Sequence, residues 1–440
     1  MLSTRESPPV VHTLHSALDE ARTQTDSLFE MVKPDSLYDR PIAERHRVVF
    51  YIGHLEAFDR NLLGDALRLP PSAEPEFDKL FAFGIDPVGG GLPSDQPADW
   101  PRLDQVRRYA GGVRRALDQA LAAAPGDARL PQLLHVAIEH RQMHAETLAY
   151  MFHQLSLDCK IASASPASSS PAPAPPSRSH TIPIPAGLAT LGRARRDDAD
   201  FGWDNEYEAH QIAVPAFTID EHMVTNRQFE EFIAAGGYDH RSLWTEDDWS
   251  WKNEQGICHP AFWKPAEGGW MVRTMFHEIP LPPDWPVYVS HAEASAYARW
   301  LGKALPTEAQ WHRAAYGTPD GTERAYPWGA ESPARDYGNF DFQSWDPAPV
   351  GAFPRNRSAF GVAGMLGNGW EWTSTPFEPF PGFQPFPFYP GYSANFFDGK
   401  HYVIKGGSAR TARSMLRRSF RNWFQANYPY VYAGFRCAGS

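Results

Sequence analysis

PQLLHVAIEHRQMHAETLAYMFHQL, residues 131–155, opens on a proline suited to a first helical turn and spaces its apolar residues at helical intervals. His140 and His144 stand four apart, so they lie one turn above one another on one face. At roughly 100° per residue, Leu133, Ala137, Thr147 and Met151 fall near that face as well. Both imidazoles are therefore expected to point into a core. By the same arithmetic His135 and His153 lie about 140° around the helix and should face solvent. Glu139 and Glu146 flank the pair, with a solvated helix face as their simpler role and support of the histidines as the other.

Working outward, three further helical stretches precede this one, at roughly 8–32, 42–66 and 102–124, with the last running about 131–157. Four antiparallel helices make a bundle, a fold that builds metal sites from inward side chains on facing helices. In the second stretch, HRVVFYIGHLEAFDRNLL, His54 shares its face with Tyr51, Phe58 and Leu62. His46 precedes the apolar run and should face water. A lone histidine on an apolar face is more often a hydrogen-bonded core residue than a ligand. Three of them on two helices are harder to explain that way, because one metal would satisfy all three buried rings together. Neutral imidazoles at His54, His140 and His144 suit either zinc with one open position or a ferrous ion with three. Spacing does not decide between them.

At 440 residues the chain exceeds what one core usually serves. Residues 162–179, ASASPASSSPAPAPPSRS, are alanine, serine and proline apart from Arg178, which reads as an extended linker. The expected division is a metal-binding bundle at 1–160, a linker at 161–181 and a second domain at 182–440. Of 15 tryptophans only Trp100 precedes the linker, so the later half, rich in Trp, Phe, Pro and Gly, suits an irregular fold with short strands.

A net charge of -11 argues against a nucleic-acid partner, whose affinity comes mainly from lysine and arginine displacing counterions. Neither a secretory leader nor a run of about 18 apolar residues is evident, so a cytoplasmic protein without a membrane span is expected. Cys159, Cys258 and Cys437 are far apart, which leaves any metal to nitrogen and oxygen ligands.

After the linker come IPIPAGLATLGR, VPAFTIDEHMVTNRQFEEFI, GKALPTEAQWHRAAYG, YPWG, MLGNGWEWT, VIKGGS and AGFRCA. This ordered set resembles the formylglycine-generating-enzyme, or sulfatase-modifying-factor, fold, an irregular C-type-lectin-like architecture, and covers nearly all of residues 182–440. Gly329, Gly367, Gly406 and Gly407 read as turn residues there, and Trp311, Trp328, Trp370 and Trp372 as rigid bulk. Copper-dependent members of that fold use a late cysteine pair, which the isolated Cys258 and Cys437 do not supply. With the preceding helices and EHRQMHAET, which resembles the DinB type of four-helix bundle, the whole is an α+β chain similar to the sulfoxide synthases of ergothioneine and ovothiol biosynthesis and to related selenoneine synthases.

That resemblance implies an Fe(2+) cofactor on His54, His140 and His144, and oxidative C–S or C–Se bond formation at C2 of trimethylhistidine (hercynine). O2 and a thiol or selenium donor would be the other small-molecule partners. It places Asn422 on the betaine's carboxylate and Trp423 against its trimethylammonium group, within a late loop SFRNWFQANYPYVYAGFR. An amide can donate to a carboxylate, and an indole face attracts a quaternary ammonium. Phe424 stands where members that use γ-glutamylcysteine carry an aspartate, which favours a smaller donor such as cysteine, or a selenosugar. The family's catalytic tyrosine falls in FEPFPGFQPFPFYPGYS, which offers Tyr389 and Tyr392, with Tyr428 and Tyr430 in the late loop as further candidates. Arg107, Arg108, Arg114 and Arg115 offer a carboxylate clamp, or simply a solvated basic face. Two other classes stay open: a DinB-like zinc-dependent thiol transferase or hydrolase, and a binding module without chemistry.

Overall fold

The computed structural model describes residues 9–82, 92–123, 126–161, 180–195 and 201–439. Most of the expected linker, 162–179, lies outside the described residues, as do the outermost residues of two expected helices, 8 and 124. The chain divides into two compact units, Met1–Ala164 and Ser165–Ser440.

The first unit is helical: α1 (Pro9–Phe29), α2 (Val48–Leu63), α3 (Pro75–Leu80), α4 (Leu103–Ala122) and α5 (Leu130–Gln154). Packing α1 on α5, and α2 on both α4 and α5, closes the bundle. The short α3 was not expected. Helix α2 begins later than the anticipated residue 42, because residues 42–47 are held as a turn by tertiary partners. Arg45 donates to the Tyr150 hydroxyl at 3.2 Å, and Arg47 donates to Asp95 at 3.0 Å from an extended N-cap.

Helix α5 corrects a second expectation. Most residues from Leu133 to Met151 are buried, and so is His153, which the face arithmetic assigned to solvent; Glu139 and Glu146, for which both a solvated face and support of the histidines were open, are buried too. Both α1 and α2 pack on α5, so its buried arc extends beyond the histidine face and takes in His153, while His135 stays half-buried.

The second unit carries four small sheets among the described residues, so the chain is mixed α+β. Strands β1 (Thr181–Ile184), β4 (Phe217–Asp220) and β12 (Ala438–Gly439) form one sheet, and β2 (Gly187–Leu191) pairs with β3 (His210–Val214). Strands β5 (Trp263–Ala266), β6 (Gly269–Arg273) and β7 (Glu278–Pro280) form another. The largest orders its strands β10 (Asn422–Gln425), β9 (His401–Lys405), β8 (Trp370–Pro376) and β11 (Ala433–Gly434). Helices α6 (Asn226–Ala234), α7 (His291–Trp300) and α8 (Glu308–Tyr316) start from Thr225, Ser290 and Thr307 caps, each with a glutamine or glutamate three residues on.

Glu371, Arg436 and Trp311 explain why three of the quoted strings belong together. Arg436 donates two 2.7 Å hydrogen bonds to the Glu371 carboxylate, and the Trp311 indole donates a third at 2.8 Å, all of them buried. Gly406, at φ 101°, is required where the chain leaves β9, since a Cβ there would lie 2.9 Å from the Met365 carbonyl oxygen. No helix among the described residues is long and apolar enough to cross a membrane.

Candidate metal centre

Helix α2 supplies His54, and α5 supplies His140 and His144; all three are buried. One ring nitrogen from each lies within 4.8 Å of the others. The rings are wedged by aromatic neighbours. Phe58 stacks on His140 with centroids 3.5 Å apart, Phe50 stacks on His54 at 4.9 Å, and Tyr51 sits 5.8 Å from His144. Such packing locks the rotamers before anything binds.

The tautomer of His54 is set by α3. Its Nδ1–H donates to the Phe81 carbonyl oxygen at 2.8 Å, which leaves the Nε2 lone pair for a cation. Phe81 follows α3 directly, and its ring lies over Gly53, where a Cβ would come within 2.4 Å of it. The glycine one residue before His54 was the sequence signal for this approach, and only the fold reveals what fills the space.

Burial pushes the His54 imidazole down to about 4, partly offset by the Phe81 carbonyl. Desolvation also holds His140 and His144 well below the ordinary histidine range, and the neighbouring rings and the Arg141 guanidinium add to it. All three rings are therefore neutral near pH 7, with lone pairs available. The Nδ1 atoms of His140 and His144 are buried without a hydrogen-bond partner, a costly arrangement in a core that otherwise pairs its polar groups. The donor set fits a divalent transition metal. A second acidic and histidine cluster, His15, Asp19 and Asp118, already has its cation, since Arg22 donates to Asp19 at 3.0 Å and to Asp118 at 2.6 Å.

In the second unit, the segment expected as a late loop contains β10, whose residues pair with β9 in the register Asn422↔Ile404, Trp423↔Val403 and Phe424↔Tyr402. Successive side chains leave a strand on opposite faces, and the contacts follow that rule. Trp423 stacks on Phe377 at 4.1 Å, meets Tyr392 edge-on at 5.4 Å and lies near Phe396. Phe424 stacks on Tyr428 at 5.5 Å, and Tyr428 meets Tyr430 edge-on. Two groups result: Tyr389, Tyr392 and Trp423 on one side, Asn422, Phe424 and Tyr428 on the other. Tyr392 is buried against Trp203, with ring centroids 3.9 Å apart, a partner that sequence reading did not single out.

Of the four arginines on α4, Arg114 donates to Asp26 and to buried Glu56, while Arg108 pairs with exposed Asp104. Arg107, Arg108 and Arg115 line an open groove with a volume of about 1090 Å³.

Comparison with known families matches residues 17–148 to the DinB superfamily and residues 167–440 to the sulfatase-modifying factor enzyme 1-like domain. The hercynine oxygenase of Mycobacterium tuberculosis is 39% identical over 378 residues, which cover 84% of each chain. That of Mycolicibacterium thermoresistibile is 38% identical over 388 residues, covering 86% of this chain and 83% of its own. Ergothioneine biosynthesis protein 1 of Neurospora crassa is 29% identical over 92% of this chain and 55% of its own length.

Proposed function

The chain belongs to the family of hercynine oxygenases and ergothioneine biosynthesis proteins, and on that premise we propose an iron(II)- and O2-dependent synthase that joins sulfur to hercynine. It is an oxidoreductase. The observation that carries the metal reading is the convergence of His54, His140 and His144 within 4.8 Å, and the family supports iron as the metal.

In the proposed reaction the imidazole C2–H and the thiol S–H are lost and a C–S bond forms. One oxygen atom of O2 becomes the sulfoxide oxygen and the other leaves as water, so the four electrons balance. Iron held by the three imidazoles would supply the redox chemistry that lets O2 react with closed-shell substrates.

The chain's own residues do the rest. His54, His140 and His144 stay neutral and donate lone pairs, with His54 oriented by Phe81. Three neutral ligands leave the full divalent charge in place, which favours an anionic thiolate. The Asn422 amide takes the betaine carboxylate, and the Trp423 indole, fixed by Phe377, offers its other face to the trimethylammonium group. Because these two residues leave β10 on opposite faces, a ligand touching both would lie along the strand edge away from β9.

Tyr392, buried against Trp203, suits a fixed wall, and the half-buried Tyr389 and Tyr428 suit the proton donor. The Phe424–Tyr428 stack gives an apolar wall where a carboxylate would hold the amine of γ-glutamylcysteine, and it supports cysteine or another small donor, with a selenosugar as the competing one. Anaerobically purified protein supplied with hercynine and competing donors, with the products weighed, tests this reading. Absence of any coupled product overturns it.

A further inference from the structure

Arg141 follows the proposed ligand His140 and is fully buried. Its guanidinium reaches across to α2 and holds that helix at three points directly after His54. It donates to the Leu55 carbonyl oxygen at 3.1 Å and to Asp59 Oδ2 through two hydrogen bonds of 2.9 Å and 2.7 Å, and it pairs with Glu56 Oε2 at 2.8 Å. Asp59 and Glu56 are buried as well. The far oxygen of Glu56 accepts from Arg114 of α4 at 2.7 Å, and Arg114 also donates to Asp26 of α1 at 2.7 Å. One chain of ion pairs therefore runs through α1, α4, α2 and α5, one residue from His140 and two from His54.

A stability role alone accounts poorly for such an arrangement, since apolar residues of similar volume often do as well as a buried ion pair. What a guanidinium adds is geometry: a planar fork that accepts one arrangement of its partners. A slip of α2 along α5 by one residue, about 1.5 Å, would break all three contacts together. The same slip would move His54 away from His140 and His144.

We propose that Arg141, with Glu56 and Asp59, is a positioning clamp that fixes the register of α2 on α5 and so sets the spacing of the three imidazoles for the metal. The inference rests on the metal reading above. Arg141, fully buried, acts through its neighbours as a positioning residue.

Co2+ titration, followed by its visible absorption, reads the site without turnover. Three variants separate the roles. Arg141→Lys keeps the charge but loses the fork; Arg141→Met strands two carboxylates and tests stability; Glu56→Gln/Asp59→Asn/Arg141→Met removes the charges together and keeps the volume. The expected result is that Arg141→Lys and the triple variant retain helical circular dichroism yet bind Co2+ roughly 10- to 100-fold more weakly, with an altered spectrum. Wild-type affinity and spectrum in either folded variant would overturn the clamp. If wild-type protein binds no Co2+, or binds it equally after His140→Ala, the metal reading itself fails.

Discussion

The Nδ1–H of His54 points at the Phe81 carbonyl oxygen 2.8 Å away, and this one hydrogen bond decides which nitrogen of the ring is left for a cation. Phe81 can come so close only because residue 53 has no side chain. Gly53→Ala would drive a methyl into the Phe81 ring, which lies 2.4 Å from the ideal Cβ position. Overpacking of this kind costs about 1–3 kcal/mol. A lowered urea midpoint together with weaker metal binding is expected, and an unchanged value for both would show that the glycine is incidental.

The pH dependence of the metal-free chain follows from the same rings. Burial holds His54 at about 4 in the folded state against 6.5 when unfolded, so between those values the unfolded chain binds more protons. Stability is therefore full above about pH 6.5 and is lost as the pH falls toward 4. For His54 alone the loss between pH 7 and 5 is on the order of 2 kcal/mol, and His140 and His144 act in the same direction. Urea unfolding of metal-free protein at the two pH values measures it, and His54→Gln should flatten the slope.

Donor choice is expected to turn on Phe424, which stacks on Tyr428. Phe424→Asp should raise kcat/KM for γ-glutamylcysteine relative to cysteine by about tenfold, the value of one charge-assisted hydrogen bond of roughly 1.4 kcal/mol. Product ratios from a mixture of the two thiols report it directly.

In the second unit, Glu371→Gln should be severely destabilising. Arg436 would keep its buried charge while losing the carboxylate that accepts its two 2.7 Å hydrogen bonds. Breaking a buried pair costs about 3–5 kcal/mol. Chemical denaturation followed by tryptophan fluorescence should show this unit unfolding early while helical signal persists.

Some of this was legible in the chain and some was not, for physical reasons. His140 and His144 could be paired because a spacing of four is a property of one helix, and His54 because it sits in an apolar stripe. Phe81, Arg141, Glu56 and Asp59 could not be placed, since their roles arise only when α2, α3 and α5 pack. His153 reads as solvent-facing from its angle alone, yet it is buried because α1 and α2 both pack on α5 and widen its dry arc. Asn422 and Trp423 are neighbours on paper, yet the two-residue period of β10 sends them to opposite faces. That division follows from recognising a strand in a segment that reads as a loop.

Metal analysis of protein purified without oxygen and reconstituted with ferrous ion, alongside His54→Ala, His140→Ala and His144→Ala, tests the central claim most directly. About one iron per wild-type chain is expected, lost in each variant, with oxygen uptake by the wild type only when hercynine is present. Zinc in place of iron, or iron that survives the removal of His54, would contradict that claim.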